Sequence, residues 1–170
     1  MTIATQINVH ATQTLVCDVM DVFPENVRLL DPIFRDYGGK KTFHGTVATI
    51  KCFEDNSKIW EAADEKGNGR VLVVDGGGSL RHSIFGGNLA QKLCDYGWSG
   101  IVINGCTRDV AEQRQVSLGI KALAPCPRRA IKRNLGDRDV PVLVAGQWIA
   151  AGQYLYADED GVIVADAPLH

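Results

Sequence analysis

Apolar residues come in short runs along this chain, separated by polar stretches rich in glycine. Val71–Val74 is a β-branched run halted by Asp75 and three glycines, the pattern of a strand buried on both faces. Ile101–Ile103 repeats it. Between them, Leu89–Tyr96 predicts a helix with Ala90, Leu93 and Cys94 on one face, Asn88 as N-cap, and Gly97 where a left-handed C-terminal residue is wanted. Thr46–Phe53 alternates as a strand does and is ended by Glu54-Asp55-Asn56. Two further helices are predicted. Thr12–Val22 has Thr12 or Thr14 as cap and Leu15, Val16, Val19 and Met20 inward, and Ser57–Lys66 has Ser57 as cap and Ile59, Ala62 and Ala63 inward. Asn26–Leu30 reads as a helical turn and Leu118–Pro125 as a strand. Val140–Val144, Gln147–Ala150 and Val162–Val164 read as short strands of antiparallel hairpins. The sum is an α/β fold with a mixed sheet, one domain over residues 1–170.

The geometry this implies carries the chemistry. If the strands at 71–74 and 101–103 are parallel and the helix crosses between them, its N-terminus shares an edge with the strands' C-terminal ends. Arg108 and Asp109 follow the second strand at that edge. Free amides at Gly86, Gly87, Asn88 and Leu89 then face a guanidinium and a carboxylate. Helix N-termini favour anions, and glycines admit a ligand close to the backbone. Arg108 suits bidentate capture of a carboxylate, and Asp109 suits a hard divalent cation. The predicted site therefore binds a small carboxylate beside a metal ion. Two familiar phosphate loops are excluded. No Gly-Lys-Ser/Thr follows the glycines, and the spacing from Gly76 to Gly86 is too long for a dinucleotide fingerprint.

Composition narrows the setting. Hydrophobic residues make up 45%, which fits a packed fold and not a disordered one. Eighteen basic and 20 acidic residues leave a net charge of −2, a poor balance for gripping nucleic acid through its phosphates. The N-terminal Met-Thr-Ile-Ala-Thr-Gln-Ile-Asn has no basic start or apolar run, so no signal peptide is expected, and no window suits a membrane span. Five cysteines without Cys-x-x-Cys spacing predict buried thiols in a reducing cytoplasm. Cys106 lies near the site, but no histidine neighbours it in sequence to activate it. His82 falls in a loop near the site and is a candidate ligand contact, with a solvated or merely hydrogen-bonded histidine as the plainer reading. Asp18 is a candidate outer partner of the metal, with an exposed helix carboxylate as the plainer reading. Glu112 stands three residues after Asp109, so one helical turn puts both on one side. It is either an outer-sphere metal partner or proton shuttle, or a solvated acid. Arg128, Arg129, Lys132 and Arg133 form one basic cluster, a candidate to meet an acidic partner, a neighbouring subunit or RNA, with a solvated loop as the default.

The order Val71-Leu-Val-Val-Asp-Gly-Gly-Gly78, Gly86-Gly-Asn-Leu-Ala90 and Gly100-Ile-Val-Ile-Asn-Gly-Cys-Thr-Arg-Asp109 resembles the RraA family. That family holds regulators of ribonuclease E activity and metal-dependent 4-hydroxy-4-methyl-2-oxoglutarate aldolases. Tyr37-Gly-Gly-Lys40, Lys51-Cys-Phe-Glu-Asp-Asn56, Gly69-Arg70 and Tyr156-Ala-Asp-Glu-Asp-Gly-Val162 extend the likeness over most of the chain. The resemblance implies a swivelling β/β/α domain, a homotrimer with the site near a subunit boundary, and a magnesium or manganese cofactor on Asp109. It also implies small 2-oxo acid substrates: oxaloacetate and 4-hydroxy-4-methyl-2-oxoglutarate, with pyruvate enolate as the common intermediate. Arg108 and the amides of residues 86–89 would hold the substrate carboxylate. The alternative it implies is a non-catalytic regulator that binds ribonuclease E. In the aldolases an Asp commonly stands where this chain has Gly87, and it is thought to position a water for proton transfer. Its absence leaves Glu112 as the nearest acid by sequence and favours oxaloacetate decarboxylation over aldol cleavage.

Overall fold

The structure is a computed structural model that describes residues 6–170; the first five residues of the N-terminal stretch examined for a signal peptide lie outside it. In chain order the elements are α1 (Leu15–Val22), β1 (Val27–Leu29), β2 (Arg35–Asp36), β3 (Phe43–Lys51), α2 (Ser57–Ala63), β4 (Val71–Asp75), β5 (Ser83–Phe85), α3 (Gly87–Asp95), β6 (Gly100–Asn104), β7 (Cys106–Thr107), α4 (Val110–Gln113), β8 (Gly119–Ala122), β9 (Ala124–Pro125), β10 (Asp137–Arg138), β11 (Val142–Val144), β12 (Gln147–Ile149), β13 (Tyr154–Ala157) and β14 (Val162–Ala165). The central sheet runs β1-β14-β13-β3-β4-β6-β8-β2, with β10 also on β3. β3, β4, β6 and β8 are mutually parallel and the flanking pairs antiparallel, so the sheet is mixed as expected.

Strand alternation sorts the core into layers. Ala48, Ile50, Leu72, Val74, Ile101 and Ile103 meet Ile59, Ala62 and Ala63 of α2 and Leu89, Ala90 and Leu93 of α3. Their neighbours Val47, Val71, Val73 and Val102 point the other way, onto Val142, Val144 and Ile149 of the β11–β12 hairpin. Helices lie on one face of the sheet and a hairpin on the other, which is the β/β/α layering. α1 packs Leu15, Val16 and Val19 against Tyr154, Tyr156 and Ile163. Phe43 is fully buried in the middle of this arrangement. A Cβ at Gly119 would lie 2.0 Å from its ring, and one at Gly100 2.3 Å from it. The Tyr37-Gly-Gly-Lys40 motif has the same kind of reason. It runs against the start of β8, and a Cβ at Gly38 would lie 1.9 Å from the Leu118 carbonyl oxygen.

Several elements differ from expectation, mostly at their ends. Asn26–Leu30 is not a helical turn, because Val27–Leu29 pairs with β14. The apolar run 118–125 divides into β8 and β9, which join different sheets. Tyr154–Ala157, absent from the sequence reading, is a fully buried strand between β3 and β14. Neither threonine caps α1: Thr14 makes no capping bond, and the buried Asp158 accepts the Val16 amide instead. Ser57 is the first residue of α2 and not its cap; Asp55 accepts its amide at 2.8 Å. Asn88 sits inside α3, whose N-cap is Gly86, while Gly97 holds the expected left-handed conformation at φ +79°.

His44 on β3 lies among Tyr154, Tyr156, His10 and His170, with its Nδ1 2.8 Å from the Tyr154 hydroxyl. Burial, then the charges of His170, Lys40 and His10, lower its pKa from 6.5 to about 4. Between those values the unfolded chain binds a proton that the fold refuses, so stability rises with pH across that window. Melting temperature should fall as pH drops from 7 to 4.5, and His44→Gln should flatten that dependence. An unchanged slope in thermal melts would show that His44 is not its source.

Candidate functional site

The C-terminal ends of β3, β4 and β6 form one edge of the sheet. The triple-glycine loop after β4 closes on that edge and does not open to a ligand. Gly76 and Gly78 donate to the Asn104 carbonyl, and Gly77 donates to Asp75. The next strand, β5, then pairs with β7, and β7 with β9, in a small parallel sheet beyond the main one. These strands are two or three residues long, too short for any periodic signal. They nevertheless bring Gly86, Arg108 and Arg128 to one place.

Arg108 is fixed by its backbone: its amide donates to Phe85 O at 2.9 Å, while its Nη1 reaches Pro127 O at 3.3 Å. Asp109 follows with φ +59° and ψ +41°, a left-handed conformation that costs a non-glycine residue energy but that Asp tolerates better than most. That turn swings its carboxylate back onto α3. Oδ2 accepts the Gly87 amide at 3.0 Å and lies 3.8 Å from Arg108 Nε. The amides of Asn88 and Leu89 have no such partner. Of the four amides expected to serve an anion, Gly87's is therefore committed to Asp109, and Gly87 does not line the cavity.

Glu112, on α4, completes the arrangement. A Cβ built on Gly87 would lie 2.2 Å from Glu112 Oε2 and 3.3 Å from Asp109 Cβ. A Cβ on Gly86 would lie 2.8 Å from Asp109 Oδ2. Two carboxylates thus converge on two residues that carry no side chain, and Glu112 fills the space a side chain at 87 would need. Among the described residues no group of three or more His, Cys, Asp or Glu is arranged to hold a metal. Asp109 borders the cavity and Glu112 stands behind it, outside the lining; one carboxylate facing open space fits magnesium or manganese, which take few protein ligands and complete their shell with water and substrate.

A cavity of about 710 Å³ opens at this point, lined by Gly86, Asn88, Leu89, Arg108 and Asp109 together with Asn56, Trp60, His82, Ser83, Phe85 and residues 128–132. Its rim is held from one place in the chain. Glu54 accepts from Ser79 Oγ and Arg81 Nε. The Ser79 hydrogen bond, against some desolvation, and the Arg81 hydrogen bond and charge hold the Glu54 carboxyl below its usual range. Asp55, 1% exposed, accepts amides from Ser57, Arg133 and Leu135. Burial opposes its ionisation, but those hydrogen bonds outweigh it and lower its pKa.

Other sequence candidates divide. His82 does line the cavity, with Nδ1 3.0 Å from Arg129 O and Nε2 3.8 Å from Glu54. Asp18, on α1, does not; it accepts a hydrogen bond from the Thr12 hydroxyl ahead of that helix. Cys106 is buried outside the cavity, and burial followed by the nearby Cys126 raises its pKa, the reverse of an activated thiol. Of the basic cluster, Arg128, Arg129 and Lys132 line the cavity and Arg133 does not, and all four stay exposed, as a solvated loop would. Asn56, Trp60, Ser83 and Phe85 were missed as cavity residues. Asn56 belongs to the Lys51–Asn56 motif, the one signal that pointed toward it.

Two acids, an arginine and the start of α3 thus meet at one edge of a mixed β/β/α domain. The sequence model of the RraA-like family, described as Aldolase/RraA, matches residues 14–164, and the chain belongs to that family. A Pseudomonas fluorescens protein, provisionally named a 4-hydroxy-4-methyl-2-oxoglutarate aldolase, is 52% identical over 91% of this chain and 95% of its own. A Xanthomonas campestris protein with the same name is 53% identical over 89% and 91%. Among solved structures, the RNA-processing inhibitor RraA from Thermus thermophilis superposes with a TM-score of 0.86 at 42% identity, over 89% of this chain and 92% of that one. A Geobacillus kaustophilus structure described as an S-adenosylmethionine:2-dimethylmenaquinone methyltransferase gives 0.89 at 41%, over 91% and 96%.

Asp55→Ala should leave the Ser57, Arg133 and Leu135 amides without their acceptor and destabilise the fold by about 2–3 kcal/mol. Hydrogen exchange should speed up at those three amides before the rest of the fold. Unchanged protection there would show that Asp55 does not hold the rim.

Proposed function

We propose that the chain is a divalent-cation-dependent lyase of 2-oxo acids, cleaving 4-hydroxy-4-methyl-2-oxoglutarate and decarboxylating oxaloacetate. The carrying observation is the convergence of Asp109 and Glu112 over the side-chain-free Gly86–Gly87, beside Arg108 and the open amides of α3. The family's aldolase-named relatives support the same reading.

Both reactions break the bond between C3 and C4 and leave pyruvate enolate. Asp109, with Glu112 beside it, would hold a magnesium or manganese ion, which would supply Lewis-acid stabilisation of the developing enolate charge. Arg108 holds the C1 carboxylate, and the Asn88 and Leu89 amides add donors at the positive end of α3. Glu112 takes the place of the acid missing at position 87. It receives the C4 hydroxyl proton in aldol cleavage, directly or through one water, and returns a proton to C3 of the enolate. Decarboxylation releases carbon dioxide and needs only the second transfer. With Glu112 in place, Gly87 does not remove aldol cleavage from the repertoire. Four cations line the cavity, Arg108, Arg128, Arg129 and Lys132, against the single acid Asp109. That field draws in acid substrates and repels a sulfonium cofactor, so the methyltransferase name is not carried over. Exposed Leu29, Leu143 and Trp148 offer an apolar surface for the homotrimer.

With magnesium, the protein should release pyruvate from oxaloacetate and from 4-hydroxy-4-methyl-2-oxoglutarate. Chelator or Asp109→Ala should abolish release, and Glu112→Gln should slow it by roughly 100- to 10,000-fold. A rate equal to that of magnesium in buffer alone would end the enzyme reading.

The Thermus relative's description as an RNA-processing inhibitor favours a second role, that of a regulator binding ribonuclease E. Immobilised ribonuclease E should then retain the protein, and the Asp109→Ala variant equally. No retention at micromolar concentration would remove this role.

A further inference from the structure

We propose that Gln113, with Thr107, is a positioning residue: it holds Asp109 in its left-handed turn and so sets how tightly the site binds a divalent cation. The inference rests on the lyase reading above and extends it to two residues that do not line the cavity.

Gln113 ends α4 and Thr107 ends β7, and both are fully buried. Glutamine is mostly an exposed residue, and burying its amide is unfavourable unless the amide is paired. Here it is paired. Arg108 O can only accept, so the Gln113 nitrogen faces it. Nε2 donates to Arg108 O at 2.9 Å and to Thr107 Oγ1 at 2.7 Å. The Thr107 hydroxyl in turn donates to Phe85 O at 3.2 Å, the same oxygen that accepts the Arg108 amide. The Gln113 backbone amide donates to Asp109 O at 3.0 Å.

One residue therefore grips the peptides on both sides of Asp109. Its side chain holds the carbonyl before Asp109, and its main chain holds the carbonyl after. Those two peptides define φ and ψ of Asp109. A non-glycine residue at φ +59° persists only where its surroundings over-determine it. Through Thr107 and Phe85 the same bonds reach the residue before Gly86, so the turn bearing Asp109 is fixed against the entry to α3. Without the Nε2 bonds the 108–109 peptide can rotate and Asp109 can relax toward a right-handed backbone. Its carboxylate then leaves the Gly87 amide. An apolar side chain could fill the same volume, but it would give Arg108 O no fixed direction. Groups that orient a metal ligand typically carry about 10- to 100-fold of the site's affinity.

Titration calorimetry with manganese and amide hydrogen exchange test this together, counting as the site's binding what Asp109→Ala abolishes. Gln113→Leu keeps most of the bulk and loses the donor. It should weaken manganese binding by about 10- to 100-fold. It should also speed exchange at the Gly87 amide by at least about tenfold. Thr107→Val loses only the hydroxyl and should weaken binding by at least about threefold. Thr107→Ser keeps the hydroxyl and should bind as the unaltered protein does. Val19→Ala, in the α1 core, is the control for lost stability. It should lower the melting temperature and leave both readouts unchanged. If Gln113→Leu changes neither manganese affinity nor Gly87 exchange, or only one of them, the inference is overturned and the lyase reading stands. An equal loss of affinity in Val19→Ala would overturn it too, by reducing the effect to stability. Should Gln113→Leu not fold, Thr107→Val and Thr107→Ser decide, and equal binding by the two overturns the inference. If the unaltered protein binds no manganese, the lyase reading falls and takes this one with it.

Discussion

The hydrogen bond from the Gly87 amide to Asp109 Oδ2 joins two turns that the chain delivers 22 residues apart. One is the entry to α3 and the other the exit from β7. Asp109 makes the bond from a left-handed backbone, and its carboxylate and that of Glu112 occupy the space that side chains at 86 and 87 would enter. In return, a carboxylate stands at the positive end of a helix, where it is electrostatically favoured, with one oxygen still free. Arg108, next in the chain, is held beside it. Each feature of the site follows from this contact.

Helix capping by aspartate carboxylates recurs in the fold. α1 is capped by Asp158, 142 residues beyond the amide it accepts, and α3 by Asp109. α2 is capped by Asp55, whose other oxygen reaches the strap at 133–135. In each case one carboxylate satisfies a helix start and ties another segment to it; Asp55 and Asp158 do so while buried, Asp109 while exposed. Such bonds are stronger than neutral ones, and they fix loops that have little apolar surface of their own. The Glu54-Asp55 pair does this for the cavity, holding the 79–82 loop with one carboxylate and the 133–135 strap with the other.

Glycine has a second use here beyond turns. At Gly86 and Gly87 it is empty space that carboxylates fill, and at Gly100 and Gly119 it is empty space that Phe43 fills. At each of these positions the vacant volume is taken by a long side chain from another element, Glu112 at Gly87 among them. The regulators and the aldolases share a scaffold, and the chemistry resides in such local exchanges more than in the fold.

Sequence alone determined the layers and the sheet edge. Val71–Val74 and Ile101–Ile103 are apolar on both faces, which only a covered parallel strand tolerates, and the crossover between them forces Arg108 and Asp109 toward the start of α3. Those signals are local and periodic, so they survive without three-dimensional context. Tertiary structure decided what has no period. β5, β7 and β9 exist only through pairing with one another. Thr14, Ser57 and Asn88 satisfy local capping rules yet lose the role to aspartates, Asp55 from two residues away and Asp158 and Asp109 brought near only by the fold. The approach of Glu112 to Gly87 and the place of Arg128–Lys132 at the cavity depend on side chains meeting across loops. Their sequence separation carries no energy term of its own, and the contact becomes favourable only once the sheet has fixed both ends.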